Sequence, residues 1–294
     1  MTSQINFDKS SQPVVQSWPE ALTAREWDRR YPGIIDSLGI LGGGANVIMQ
    51  LSHPSVGYGV MESRVESGSV FKHPVKRTRT TLTYLAVAMM GSNADKQAYR
   101  QAVNRVHAQV YSTEKSPVKY HAMNPDLQTW VAACLYWGFA DSRRTFRGAM
   151  SREDEEVFYR LARPLGTTLQ VRDDMWPADL ASFQQYWDAG LQRAHIDDKT
   201  RAYLTALAEL KFLHPVTRFF FGRFNRFVTA GFLPQRLREE MHFAWSAADQ
   251  KKFDRLTGVL GFFNRLLPRA IRQLPYSALM WDFRRRIRNR LPLV

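Results

Sequence analysis

The residues of this chain best suited to hold a metal or a redox group are seven histidines and one cysteine. The single thiol, Cys134, excludes an intramolecular disulfide framework and any multi-cysteine zinc or iron–sulfur centre. Among His53, His73, His107, His121, His195, His214 and His242, no two are three or four residues apart, so no helix presents a two-histidine metal site. His53, His73 and His214 each precede proline, which assigns them to extended or turn positions. His195 lies in a polar stretch. His107 differs. Val103, Val106, His107 and Val110 fall at i, i+3, i+4 and i+7, so the imidazole projects from the apolar face of a helix. Two readings stand open on that spacing: a hydrogen-bonded core histidine, or the ligand of a metal that needs only one protein donor. Haem iron is the leading metal of that kind, because the porphyrin supplies the other four donors.

Patterns for other chemistries are absent: no phosphate-binding P-loop, no serine-hydrolase elbow, no zinc-protease helix, no EF-hand and no CxxC pair. The run GGGA at Gly42–Ala45 is not a dinucleotide fingerprint, since no strand precedes it. It suits close helix packing, or a backbone that a flat ligand can approach.

The elements that must position these residues read as helical almost throughout. Residues 1–20 look irregular. Ala21 to Tyr31 reads as a helix stopped by Pro32-Gly33, and the polar residues 63–76 read as a loop. A helix is expected from near Arg77 to Gly91, with Leu82, Leu85 and Met89 in one row and Thr81, Tyr84 and Ala88 in the next. Asn93 is expected to cap a helix over Ala94–Tyr111. Asn124-Pro125 reads as the cap and first residue of a mostly apolar, central helix running to Ala140. Ser151 to Asp154 resembles a capping box, with a helix following to about Ala162. Further helices are expected at 178–193, 199–213, 217–230, 235–243 and 247–266. Alternating strand patterns, fixed-period repeats and flexible linkers are missing. The expectation is therefore an all-α protein of roughly nine to eleven helices. Residues 21–294 would form one domain with a basic C-terminal tail.

Charge narrows the partners. The chain carries 41 Lys and Arg against 27 acids, a net +14, and 31 of the bases are arginine. Residues 264–294 hold eight arginines and one acid, Asp282. Such a segment attracts nucleic acid, anionic lipid or acidic partners, or is simply a solvated face. TRFFFGRFNRFVTAGF at 217–232 adds six phenylalanines and three arginines. The favoured reading is a core helix with a basic outer face, and the alternative is a helix lying in a lipid interface. Nucleic acid is disfavoured, since the aromatics lie in one apolar helix and not on a sheet platform. The N-terminus lacks a signal-peptide pattern and no apolar run approaches a membrane span, so a cytoplasmic address is expected, with peripheral contact to an anionic membrane.

Several segments taken in order carry a resemblance. They are QLSHPSVGYGVMES (Gln50–Ser63), RTRTTLTYL (Arg77–Leu85), NRVHAQV (Asn104–Val110), YHAMNPDLQTWV (Tyr120–Val131), AGFLPQRLRE (Ala230–Glu239) and WDFRRRIR near the C-terminus. Together they resemble the haem-b oxygenase family that includes latex-clearing protein (rubber oxygenase) and the mpaB-like oxygenases. The resemblance implies a globin-like helical core around a haem pocket, with His107 as the axial ligand of haem b. It carries over Arg77 and Thr81 as residues on the opposite face of the haem, with Tyr84 continuing their row on the helix. It also implies an upstream carboxylate acting as a base, which falls at Glu62, with Glu66 as the fallback. Thr80 stands where the rubber enzymes have a lysine able to close the iron, so lysine closure is not expected. The activity implied is O2-dependent oxidation of a small apolar organic substrate. A non-catalytic haem carrier or sensor, and a basic nucleic-acid or lipid-surface binder without haem, are the rival readings.

Overall fold

A computed structural model describes Trp18 and residues 21–294, so the expectation for residues 1–20 lies almost wholly outside the described residues. The described chain is all-α, with a lone antiparallel bridge between Tyr111 and His121. In order the helices are α1 (Ala24–Arg30), α2 (Gly43–Leu51), α3 (Pro54–Met61), α4 (Pro74–Met90), α5 (Asn93–His107), α6 (Pro125–Arg147), α7 (Arg152–Ala162) and α8 (Pro164–Thr167). They continue as α9 (Leu180–Arg193), α10 (Asp198–Ala208), α11 (Pro215–Phe232), α12 (Gln235–Glu240), α13 (Ala247–Leu266), α14 (Arg269–Arg272) and α15 (Leu274–Arg288). The number exceeds the sequence expectation because short turns such as α8 and α14 carry no readable period.

Local chemistry sets the boundaries. Asn124 caps α6 by accepting from the Asp126 and Leu127 amides, with Pro125 at the first helical position. Ser151 caps α7 through the Asp154 amide, as the sequence predicted. For α5 the cap is Ser92, one residue before the expected Asn93, in a reciprocal capping box with Asp95. Helix α4 begins at Pro74 rather than Arg77, because proline already fixes the dihedral a first turn needs.

Helix α6 is central. Ala132 to Tyr136 are all buried, and the helix packs against α2, α8 and α13. Tyr136 sits among Phe158, Tyr159, Trp176 and Phe183, with ring centroids 4.7–6.4 Å away. Gly44 serves helix packing: a methyl group there would sit 2.5 Å from Thr229 Oγ1 of α11, so only glycine lets α2 and α11 approach.

The basic C-terminal segment is not a free tail. Arg272 is buried and pairs with Asp28 (2.8 Å) and Asp36 (3.3 Å). Arg284 pairs with Asp95, while Arg285 and Arg286 pair with Asp282. Phe283 is buried, and α15 lies along α4. Acids outside the segment and within it thus hold these arginines in the fold.

Candidate functional site

The site is built on α4 and the end of α5. Tyr99 of α5 donates to the Thr80 carbonyl of α4 (2.6 Å) and ties the two helices together. Tyr84 of α4 donates to the Leu165 carbonyl of α8 (2.5 Å). Both phenols are pushed up in pKa, chiefly by burial, and stay protonated. Their rings lie 6.1 Å apart.

His107 is the last residue of α5, not an interior one; the chain turns at Ala108 and runs into the Tyr111–His121 bridge. Its Nδ1 is buried and has no hydrogen-bond partner. Burial, then the nearby Arg77 and His121, pull its pKa from 6.5 to about 4. The ring is therefore neutral at ordinary pH, even though a helix C-terminus favours imidazolium. A neutral imidazole with an unpaired buried nitrogen is the form a metal ligand takes.

Arg77 is half-buried, and burial pulls its pKa down. Tyr99 and Tyr203 lie near enough to act on it. Among the described residues it has no carboxylate partner. Thr81 Oγ1 donates to the Arg77 carbonyl (3.0 Å), and Thr80 Oγ1 donates to the Lys76 carbonyl (2.6 Å). Both hydroxyl protons are thus committed within α4, although their oxygens can still accept.

Glu62 belongs to a neighbouring cluster. It ends α3, and its Oε2 accepts from Ser116 (2.8 Å) and Tyr120 (3.1 Å), with Lys199 Nζ 3.6 Å from Oε1. Lys199 also lies 5.0 Å over the Tyr58 ring. Tyr58 donates to Asp197 (2.6 Å), which pushes the phenol up to about 12. Tyr120 precedes His121, one of the groups acting on His107, so the bridge segment links the carboxylate cluster to the histidine. Glu66, by contrast, is an exposed carboxylate paired with Lys72. Arg77 lies near His107, and Thr81 is tied to the Arg77 carbonyl, whereas Tyr84 packs on Tyr99 and the Leu165 carbonyl and Glu62 sits in its own cluster.

Three residues escaped notice as site supports. Gln170 donates to Asn104 (2.6 Å), one turn before His107, and Gln128 of α6 donates to both Gln170 (2.6 Å) and the Ala122 carbonyl (2.7 Å). This chain of amides fixes the end of α5 against α6. Gln128 alone carries a signal, a polar buried residue at the head of the apolar run of α6; Gln170 lies in the turn after α8 and Asn104 in a polar helix. His53, extended before Pro54 as its position predicts, also has a buried and unpartnered Nδ1.

The group implied by the resemblance is haem b. Among the described residues no three His, Cys, Asp or Glu side chains converge on one metal position, which argues against an all-protein metal site. A porphyrin asks for less: one neutral imidazole, and a cation for its carboxylates. His107 and the unpaired Arg77 fit both needs.

The comparisons with known proteins come down on one side. The family model described as "ER-bound oxygenase mpaB/B'/Rubber oxygenase, catalytic domain" matches residues 33–262. Two mycobacterial proteins are 46% identical over 245 residues, covering 83% of this chain and 96% of their own length. They are "Uncharacterized protein Mb2261" of Mycobacterium bovis and "Uncharacterized protein Rv2237" of Mycobacterium tuberculosis. No solved structure matches the chain.

Proposed function

Since the chain belongs to the mpaB and rubber oxygenase catalytic-domain family, we propose that it is a haem-b-dependent oxygenase acting with O2 on a small apolar organic substrate. The observation that carries the reading is the neutral His107, with a buried and unpaired Nδ1, beside an Arg77 that lacks a carboxylate partner.

Bound haem b would supply the one-electron chemistry that O2 needs to react with an organic substrate. The rest falls to the chain. His107, already neutral, would hold the group through a ring nitrogen without first losing a proton. Arg77 is a fixed positive charge in a half-buried setting, where it can pair with a propionate or with negative charge developing during the reaction. Thr81 can accept hydrogen bonds at Oγ1 while its hydroxyl donates to the Arg77 carbonyl. Tyr84 and Tyr99, both protonated and tied to backbone carbonyls, hold α4 against α8 and α5 and keep water out. The Glu62 carboxylate takes up a substrate proton at Oε1 or Oε2, and Ser116, Tyr120 and Lys199 hold it in place. Thr80 provides no amine that could serve as a second protein ligand to such a group.

The test is optical and then catalytic. Protein produced with haem available is expected to show a Soret band that His107→Ala removes or strongly shifts, while His195→Ala leaves it alone. Oxygen uptake is then measured against a panel of apolar substrates. A His107→Ala protein with unchanged haem content and spectrum would overturn the assignment.

A further inference from the structure

The first half of α11 is apolar and exposed on most of its circumference. Phe219, Phe220 and Phe221 are 78%, 67% and 57% exposed, and Val216 and Phe224 are exposed as well. The sequence reading favoured a core helix here, which holds only for the second half: Val228, Ala230 and Phe232 are buried. Three consecutive phenylalanines, at 100° per residue, sweep too wide an arc to face one core. Soluble proteins rarely leave so much contiguous aromatic surface uncovered.

The chain around it is strongly basic. From residue 210 to residue 238 there is no acid, while Lys211, Arg218, Arg223, Arg226, Arg236 and Arg238 supply six positive charges. Arg218 and Arg223 alternate with the phenylalanines, are exposed, and form no ion pair among the described residues. Both also line an open cleft of about 580 Å³ at the side of α11, walled by Phe227 and Trp245. The two bases that have a partner there, Lys211 and Arg226, share Glu209.

The breadth of the surface selects its occupant. A partner helix covers a stripe about 100° wide. Such a stripe exists elsewhere, on α13, where Val259, Phe262, Phe263 and Leu266 are exposed at i, i+3, i+4 and i+7. The α11 surface is wider than a stripe and runs round the helix except on the side where Gly222 meets the Glu209 carbonyl. A lipid interface takes in the whole of such a surface, with phenylalanines among the acyl chains and arginines at the phosphates. No described helix is long and apolar enough to cross a membrane, so the contact is peripheral.

We propose that the first half of α11, Val216–Phe224, docks this protein on anionic phospholipid bilayers, with Phe219, Phe220 and Phe221 inserted below the headgroups and Arg218 and Arg223 paired with lipid phosphates. The α11 surface does this independently of the redox chemistry. Phe71 packs on both Tyr203 and Phe212, at 5.2 and 6.2 Å, and so joins the Arg77 neighbourhood to the chain just before α11.

The experiment is co-flotation of the full chain with large unilamellar vesicles of phosphatidylcholine alone, or with 30% phosphatidylglycerol added. Binding to the mixed vesicles is expected to be at least tenfold tighter than to phosphatidylcholine. Phe219→Ser with Phe220→Ser should weaken it at least tenfold, and Arg218→Gln with Arg223→Gln should abolish the preference for the anionic lipid. All four positions are exposed, and circular dichroism and thermal melts check that the variants fold. Undiminished binding by the Phe219→Ser, Phe220→Ser protein overturns the proposal. So does a loss seen only on changing Phe262 and Phe263 to serine, which would move the contact to α13. Light scattering supplies the last arm: a dimer that the Phe219→Ser, Phe220→Ser changes convert to monomer, with no vesicle binding by the parent, would make a second copy the occupant and overturn it too.

Discussion

Protonating His107 should destabilise the fold, and the size of the effect follows from its surroundings. In the unfolded chain the imidazole titrates near 6.5, and in the fold near 4. Burial is the main cause, and repulsion from Arg77 is next. A base whose pKa falls on folding binds fewer protons folded than unfolded. The stability it lends is therefore whole above pH 6.5, declines as the pH falls below that value, and bottoms out near pH 4. Each pH unit inside the window costs about 1.4 kcal/mol, which accumulates to about 2 kcal/mol by pH 5 and about 3 kcal/mol below pH 4. The perturbation is His107→Leu, which removes the titration and keeps an apolar side chain. Urea unfolding of haem-free protein at pH 7.5 and pH 5.0 reads the outcome. Carboxylates and other histidines titrate alike in both proteins, so the difference between their two losses isolates His107. The parent is expected to lose about 2 kcal/mol more than the variant between those pH values. Equal losses would refute the reasoning, because they would mean that the ring is solvated in the fold and not held neutral.

Other outcomes follow from single contacts. Glu62→Gln keeps the shape of a group held by Ser116 and Tyr120 but removes its basicity, so turnover should fall on the order of 100-fold with the Soret band unchanged, as read by oxygen uptake on haem-matched samples. Arg77→Met takes a positive charge away from His107, so the His107 pKa should move up towards 6.5; histidine resonances followed against pH check the direction, and faster haem loss to an acceptor protein should accompany it. Asp36, only 3% exposed, accepts from Asn264 (2.7 Å), Arg147 (3.1 Å) and Arg272 (3.3 Å). Asp36→Ala should cost about 3–5 kcal/mol in urea unfolding because it strands buried cations, and Asp36→Asn should cost less because the amide oxygen still accepts.

What the sequence disclosed, and what it withheld, divides along a physical line. Helices with a strong 3.6-residue period and a good cap were legible nearly to the residue: α13 runs over Ala247–Leu266 as expected, and α6 starts at the Asn124-Pro125 cap. The end of α5 was not, because Val110 continues the apolar row while the backbone has already turned into the Tyr111–His121 bridge, a pairing between residues ten apart that no local period records. That early end gives His107 its unusual setting. An interior helical histidine would be ringed by its own helix, whereas this one closes the helix and is neutralised by burial and by Arg77, a residue thirty positions earlier. The same limit governs Glu62, which reads as an isolated acid and is in fact held by Ser116, Tyr120 and Lys199. Composition was least informative over the arginines. Their concentration near the C-terminus left open a contact surface or a solvated face; Asp28, Asp36, Asp95 and Asp282 engage four of the eight, and the other four are exposed. Arg218 and Arg223, fewer and set among phenylalanines, are left without acids. An unpaired charge beside exposed aromatic rings costs little in water and gains much at a lipid headgroup, which is the physical basis of the bilayer contact proposed for α11.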